Sequence, residues 1–597
     1  PTRRPTIPST PRRSPGSAGW PHDLHSTELD GVVIGVVGRP PVEHSPSWAP
    51  GDRSAFTRED GTVTAGPQVD FDDLYSTVYA VLDDAKTRHR VVKLYKGSHG
   101  SADPHSTVLD FGAYFAAQRR GVLGFACQAV RSSAERFTVD DLDEFDRRHT
   151  PRVSTRAAFD LLAAGAARPG ESRDDYLTYV ATRVHRLGAY RGGSSGFEDE
   201  SRALAAACFG QSGVPTTPDE VSVFCGGFKG ALLCACAAVM ALRRGDELRR
   251  TGGVVLAPVG YYQSLRLIPP IFTGEVEVAE ELDGPAVAAW LSRTAHRAGR
   301  IVYVPLVNNS DGRVLSRPRA HAIAAAVLEH NRRAPSNPVW MVGDDVYAGS
   351  YLATGLTPQP IGGVRGGDVG DAGLGAMSDW TVSITTSSKT VALPTARVAF
   401  ATTTSAVMRA ALAHYRTVFS FGRVPQTGEL TATAALCLTP QSWIDAWNAE
   451  YRHRLVAVAD SLDAINRELG YELYRIEQPE GGWYFVLRIR RRYLPRLVAS
   501  GVHASALLLN YAPDDRDSGV GMLPGELFGY DLDGTDEWLT LRGTLAVEPE
   551  ELRRFAARLR NVAMLLRGPD GAGVARRALA RANAVTDLDR IVSRRRY

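Results

Sequence analysis

Residues Ser383 to Phe400 read SITTSSKTVALPTARVAF. The approach to this stretch is β-branched: Thr381, Val382, Ile384, Thr385 and Thr386 suit a buried strand. Small hydroxyl residues follow, then Lys389 and, eight residues on, Arg397. A lysine at the end of a buried strand is costly unless it has a task. Its amine can lose a proton and condense with an aldehyde to an imine. The hydroxyls of Thr386 and Ser388, with the Arg397 guanidinium, can hold a phosphate beside it.

That pairing of an amine for an aldehyde with an anchor for a phosphate suits pyridoxal 5′-phosphate (PLP). Composition sharpens the point. Only Lys86, Lys93, Lys96, Lys229 and Lys389 are lysines among 69 Lys and Arg residues. Arginine supplies positive charge almost everywhere, so a lysine that persists is a better candidate for lysine chemistry.

The chain has 597 residues, enough for two or more domains with real cores. Hydrophobic residues at 44% and charged residues at 23% are ordinary for a soluble globular protein. A net charge of +3 marks neither a nucleic-acid binder nor a membrane-surface binder. No apolar run is long enough to span a bilayer, and no signal peptide is visible, so a cytoplasmic protein is expected. The first residue is Pro1 rather than Met, which suggests trimming or processing. Cys127, Cys208, Cys225, Cys234, Cys236 and Cys437 have no spacing that suggests zinc, and read as reduced core thiols.

Residues 1–30 form a Pro/Arg-rich tail expected to be disordered. Residues 31–170 read as an N-terminal extension and inserted helical segment, with a helix over 69–90 and a strand entering a glycine turn at 89–100. The run Gly31 to Gly38 is strand-like, but Arg39-Pro40-Pro41 opens no helix, so a phosphate loop is not indicated. The acidic cluster from Asp140 to Asp146 reads as a solvated helix behind a Thr138 cap rather than a metal site.

From about 218 strand and helix alternate. Strands are expected at 221–225, 253–257, 300–307 and 339–343, with helices at 231–244 and 318–330. Such alternation implies an α/β layer with a mainly parallel sheet, whose loops converge on one crevice. The glycine-rich residues 361–378 read as a flexible surface loop. Beyond 400 come long helices, strands at 482–489 and 538–542, and a helix over 548–567. This gives a large domain at 171–405, a smaller α+β domain at 406–567 and an Arg-rich helix or tail at 568–597.

Taken in order over roughly 170–567, these features resemble the class I/II aminotransferases, PLP enzymes of fold type I with the aspartate aminotransferase fold. The resemblance implies that Lys389 carries the cofactor as an imine and that Arg397, Thr386 and Ser388 hold its phosphate. Gly227-Phe228-Lys229 matches the turn that cradles the phosphate at a helix N-terminus. Tyr261 matches the aromatic stacked on the pyridine ring. Asn309 and Tyr347 match the partners of the phenolic oxygen, and Asp344 the partner of the ring nitrogen. Arg542 matches the substrate-carboxylate clamp, and Tyr190 the tyrosine that reaches the neighbouring subunit's phosphate. Lys389, Asp344 and Tyr261 are then the catalytic set, with no metal. A homodimer or a multiple of it is implied, with a small amino acid as substrate and no nucleic-acid or membrane partner.

The sequence departs from the family pattern in places. The usual Asn-Pro-Thr-Gly turn is Asn309-Ser310-Asp311-Gly312, and the usual Pro-Gly before the phosphate arginine is Pro394-Thr395. The segment between the Gly100 turn and Tyr190 is long, which leaves the substrate open. An aminotransferase is the first reading. The alternative is a PLP-dependent lyase or carbon–carbon bond-forming enzyme of specialised metabolism: similar to aspartate 4-decarboxylase, or eliminating or replacing at Cβ or Cγ of S-adenosylmethionine. A transcription regulator with an aminotransferase-like domain ranks last, since no helix-turn-helix is evident in 31–165 and Lys389 is intact.

Overall fold

The computed structural model describes residues 28–29, 32–33, 71–88, 91–94, 147, 198–241, 252–272, 274–420, 441–512 and 518–588 without 533 and 535, plus scattered positions between 424 and 439. Tyr190, the acidic cluster and most of the expected extension lie outside these residues. Glu28–Leu29 and Val32–Val33 form a short antiparallel pair belonging to a separate unit. Everything described from Phe71 onward belongs to one compact unit.

Helix α1, Phe71–Arg88, fulfils the amphipathic pattern of 69–90 and buries Leu74, Val78, Val81 and Leu82. Helix α2, Glu198–Gln211, leads into the main sheet. Its strands are β1 Val221–Cys225, β2 Gly253–Pro258, β3 Gly274–Ala279, β4 Arg300–Pro305, β5 Val339–Asp344, β6 Thr381–Thr386 and β7 Val398–Thr402. They lie side by side in the order β1-β7-β6-β5-β4-β2-β3. Strands β2 to β6 pair in parallel. Their central members, such as RIVYVP and VWMVGD, are buried throughout, as expected when helices cover both faces.

Strand β7 runs against both neighbours. This reversal positions the site. The first residue of β7, Val398, pairs with the last residue of β1, Cys225. Arg397 therefore arrives at the same sheet edge as the turn after β1, where the parallel strands also end in Pro305, Asp344 and Thr386.

A second sheet is wholly antiparallel. It comprises β8 Tyr474–Glu477, β9 Tyr484–Arg490, β10 Leu523–Pro524 and β11 Trp538–Thr544, in the order β8-β9-β11-β10. The long helix Gln441–Leu469 and the helix Pro549–Arg567 close one core with it, through Leu462, Ile465, Phe485, Leu541 and Phe555. The fold is thus α/β, with a large mainly parallel seven-stranded sheet and a smaller α+β part.

Three local expectations change. The helix after β1, α3, spans Phe228–Ala241 and begins three residues earlier than expected. Only Gly226 and Gly227 make the turn, both at positive φ (87° and 67°), and the helix starts on the next residue. Residues 361–378 are an ordered series of short 3₁₀ turns, not a flexible surface loop. Ile361, Val364 and Met377 are buried in the sheet's core, and the Gly366 amide donates to Gly375 O at 2.6 Å. Strand β3, absent from the sequence reading, is an edge strand. Its glutamates Glu277 and Glu275 pair with Arg293 and Arg297 at 2.5 Å each, which masks its strand pattern with charge.

Candidate active site

The strand-end loops bring most of the expected residues to one crevice. Lys389 follows β6 in a tight loop: the Ser388 amide donates to Thr386 Oγ1 at 2.7 Å, and the Leu393 amide to Ser387 O at 2.8 Å. Its ammonium lies over the rings of Tyr484, Tyr347 and Trp483, at 5.5, 5.6 and 5.9 Å.

At one pole Arg397 sits in the left-handed region (φ 55°) and donates to Gly226 O at 2.5 Å and Pro394 O at 3.2 Å. The Gly227 amide donates back to Arg397 O at 2.9 Å. A Cβ on Gly227 would lie 3.3 Å from Arg397 Nη2, so a side chain there would crowd the guanidinium. Lys229 stands close enough that, after burial, the Arg397 charge is what holds its ammonium below the usual lysine range. Two cations thus converge on the N-terminus of α3, an arrangement made for an anion.

Asp344, the last residue of β5, is buried, and burial lifts its carboxyl to about 6. Three groups oppose the lift: the Tyr303 hydroxyl, the Val346 amide and the Lys389 charge. Tyr303 Oη donates directly to Asp344 Oδ2 from the neighbouring strand β4. The next residue, Asp345, is 3% exposed, and neither carboxylate oxygen has a hydrogen-bond partner. Burial first, then the Asp344 charge, lifts it to about 8, while the nearby Ser383 hydroxyl offsets only part. Asp345 borders a small cavity with Cys208, Thr385, Thr386 and Thr390.

At the other pole Arg542, on β11, is 4% exposed. Its backbone pairs with Val486 of β9 and Leu523 of β10. Its guanidinium lies 4.0 Å from the Tyr484 ring centre and 4.5 Å from that of Phe528, and Nη1 donates to Asn309 Oδ1 at 2.7 Å. Asn309 is itself held in place, because Asn308 Nδ2 donates to Val259 O at 2.7 Å and the Ser310 amide to Gly260 O at 3.1 Å.

One assignment moves. Tyr261 is fully buried in the core below the crevice, where a Cβ on Gly529 would meet it at 2.8 Å, and burial raises its hydroxyl to about 12. Tyr262 instead meets Phe228 edge-on at 5.6 Å, and the charges of Asp344 and Arg397 both bear on its hydroxyl. After the turn at Pro258 the first tyrosine of the pair is fully buried and the second only partly, a difference that spacing alone did not reveal. Sequence reading also missed Tyr303 and the aromatic pair around Arg542. It missed Tyr75 and Tyr79 of α1 as well, whose i, i+4 spacing was the available signal.

The residues fit PLP. Tyr347 Oη and Ser388 Oγ are buried without a hydrogen-bond partner, facing places where the cofactor's phenolic oxygen and phosphate would supply one. Among the described residues no cluster of His, Cys, Asp or Glu suited to a metal is present.

The family model for aminotransferase class I and II matches residues 189–559, more than half of the chain. The chain belongs to the class I and II aminotransferases, whose members depend on PLP, and it is an enzyme of the transferase class. Solved structures agree in fold at low identity. An aspartate aminotransferase from Rhizobium meliloti is 15% identical, with 82% of this chain and 96% of that one covered, at a TM-score of 0.54. An aromatic aminotransferase from Pyrococcus horikoshii is 16% identical, covering 81% and 98%, at 0.52. The Thermus thermophilus aspartate aminotransferase with maleate is 17% identical, covering 83% and 97%, at 0.51. No curated protein sequence matches the chain. Neither the family match nor these structures favour the lyase alternative.

Proposed function

We propose that this crevice binds PLP on Lys389 and moves an amino group from an amino acid to a 2-oxo acid. The observation that carries the reading is the convergence of Lys389, Asp344 and Tyr347 between two anion-binding poles. PLP, when bound, supplies the electron sink that lets the substrate Cα give up its proton. Arg397, the Phe228 amide, Lys229, Thr386 and Ser388 would take its phosphate, while the Gly227 amide holds the Arg397 carbonyl. Asp344, kept ionised by the Tyr303 hydroxyl and the Val346 amide, would keep the ring nitrogen protonated. Tyr347 and Asn309 would face the phenolic oxygen, with Tyr262 against the ring in place of Tyr261.

Arg542 holds the α-carboxylate with two parallel N–H bonds, and Asn309 fixes the guanidinium plane. The Lys389 amine would be the base that takes the Cα proton and returns it elsewhere. The rings of Tyr347, Trp483 and Tyr484 around it keep water from that proton.

We assign 171–405 to the cofactor-binding domain and 406–567 to the smaller domain, with Tyr190 as the residue that reaches a partner subunit. A two-fold homodimer is supported by the apolar surface of Ile271, Val418 and Phe419, exposed at 65%, 53% and 39%. A reducing, cytoplasmic setting is supported by the free thiols of Cys225, Cys234 and Cys236. No helix among the described residues is long and apolar enough to cross a membrane.

The test is a yellow protein whose absorbance band is removed by borohydride, with the reduced pyridoxyl group mapped to Lys389. An amino acid plus a 2-oxo acid should then exchange amino groups in the unreduced enzyme. Label on Lys229, or no label, would overturn the assignment. Release of CO2 or an elimination product without a new amino acid would move the reaction to the lyase reading.

A further inference from the structure

Helix α1 lies outside residues 189–559, so the family match assigns it no part in the site. Its position says otherwise. Leu74, Val78 and Leu82 share a core with Val486, Leu523 and Phe528. Val486 and Leu523 are the strand partners of Arg542, and Phe528 lies against its guanidinium. The helix is therefore seated directly over the carboxylate pole. Tyr75 and Tyr79, one turn apart, pack at the margin of that core with ring centres 4.7 Å apart and planes tilted by 41°. Gln263, which follows Tyr262, donates from Nε2 to Tyr79 Oη at 3.4 Å.

We infer that Tyr75 and Tyr79 form the wall of the substrate side-chain pocket and select amino acids with a flat aromatic side chain. This rests on the proposed role of Arg542 as the carboxylate clamp. The tyrosine pair spans the two halves of the site. The Arg542 charge and the Tyr484 hydroxyl both bear on the Tyr79 hydroxyl, while the Tyr75 hydroxyl bears on Tyr262. A substrate gripped by Arg542, with its Cα near Lys389, then directs its side chain toward this pair.

The rings suit that occupant. Two phenols tilted against each other present both a face and an edge, and aromatic rings prefer offset or edge-to-face contact with a third ring. A methyl side chain is too short to use either surface. Tyr79 is tied through Gln263 to the loop that carries Tyr262, so the wall is held before substrate arrives.

The experiment is spectral titration of the PLP-loaded enzyme with phenylalanine and with alanine, for wild type, Tyr75→Leu, Tyr79→Leu and the double variant. Leucine keeps helix propensity and apolar volume. Each ring lost should weaken phenylalanine about threefold to tenfold and leave alanine within about twofold. The cofactor band should not move. Asp83→Ala, on the exposed side of α1, should change neither ligand. If alanine weakens as much as phenylalanine, the helix merely supports the site and the specificity role is wrong. If neither weakens, the tyrosines do not touch the substrate. A wild-type absorbance indifferent to both amino acids would overturn this inference together with the active-site reading, whereas failure of the leucine variants alone leaves that reading standing.

Discussion

Arg397 and Arg542 bring the same guanidinium to opposite ends of one crevice, in opposite environments. Arg397 is exposed, sits on a turn at positive φ, and is satisfied by the carbonyls of Gly226 and Pro394. Arg542 is 4% exposed, in the middle of a sheet, between two aromatic rings, with Asn309 on one nitrogen. Water already shares the load at the first, so an arriving phosphate gains from several modest donors together. At the second, water is excluded and the charge has lost its hydration. An anion there restores a large part of what burial cost. On the proposed reading, the phosphate pole is thus a distributed site, and the carboxylate pole a concentrated one.

Removing the two arginines tests that contrast most directly. Arg542→Ala should weaken amino-acid binding by about 2–4 kcal/mol and leave cofactor affinity unchanged, as read by absorbance titration. Arg542→Lys should recover little, because a point charge cannot make the paired contact. Arg397→Ala should weaken PLP binding by less, about 1–2 kcal/mol, with the Phe228 amide and Lys229 remaining. Equal losses at both ends would break the comparison.

A smaller effect should follow from Asn309→Ala, which frees the Arg542 guanidinium without removing it. Substrate affinity should drop by about 1–2 kcal/mol, and the loss should be much smaller in an Arg542→Ala background. Additive losses in that double-mutant cycle would show that Asn309 acts elsewhere, on the cofactor side alone.

A separate test concerns a buried carboxyl whose ionised form both burial and the Asp344 charge disfavour. Asp345 is lifted to about 8, far above an unfolded carboxyl. Between the ordinary carboxylate range and about 8 the folded chain keeps a proton that the unfolded chain has lost. Stability should therefore decline as pH rises through that window. Urea unfolding at pH 5, 6.5 and 8 should show the decline in wild type and a flatter profile in Asp345→Asn. A wild-type slope no steeper than that of the variant would mean that the Asp345 carboxylate is already compensated.

Much of this was legible in the chain. Buried parallel strands announce themselves as unbroken β-branched runs, so β2, β4, β5 and β6 were found to within a residue or two. Lys389, Asp344, Asn309, Tyr347 and Arg397 lie at the ends of such runs, and the family pattern named them. Strand β3 was missed because its glutamates, paired to Arg293 and Arg297, disguise an edge strand. The glycine content of 361–378 points to a flexible surface loop because it records permitted conformations, not the core that Ile361 and Met377 reach.

The sequence by itself determined the candidate groups, one lysine, one carboxylate and two arginines, because the proposed chemistry requires particular functional groups at strand ends. Only the tertiary structure decided that Tyr261 is buried in the core while Tyr262 meets Phe228, since a turn of one peptide separates the two. It also decided that β7 runs backwards and delivers Arg397 beside Gly226. And it brought α1 over Arg542, a contact between residues more than four hundred positions apart, which burial of apolar surface fixes and no local pattern encodes.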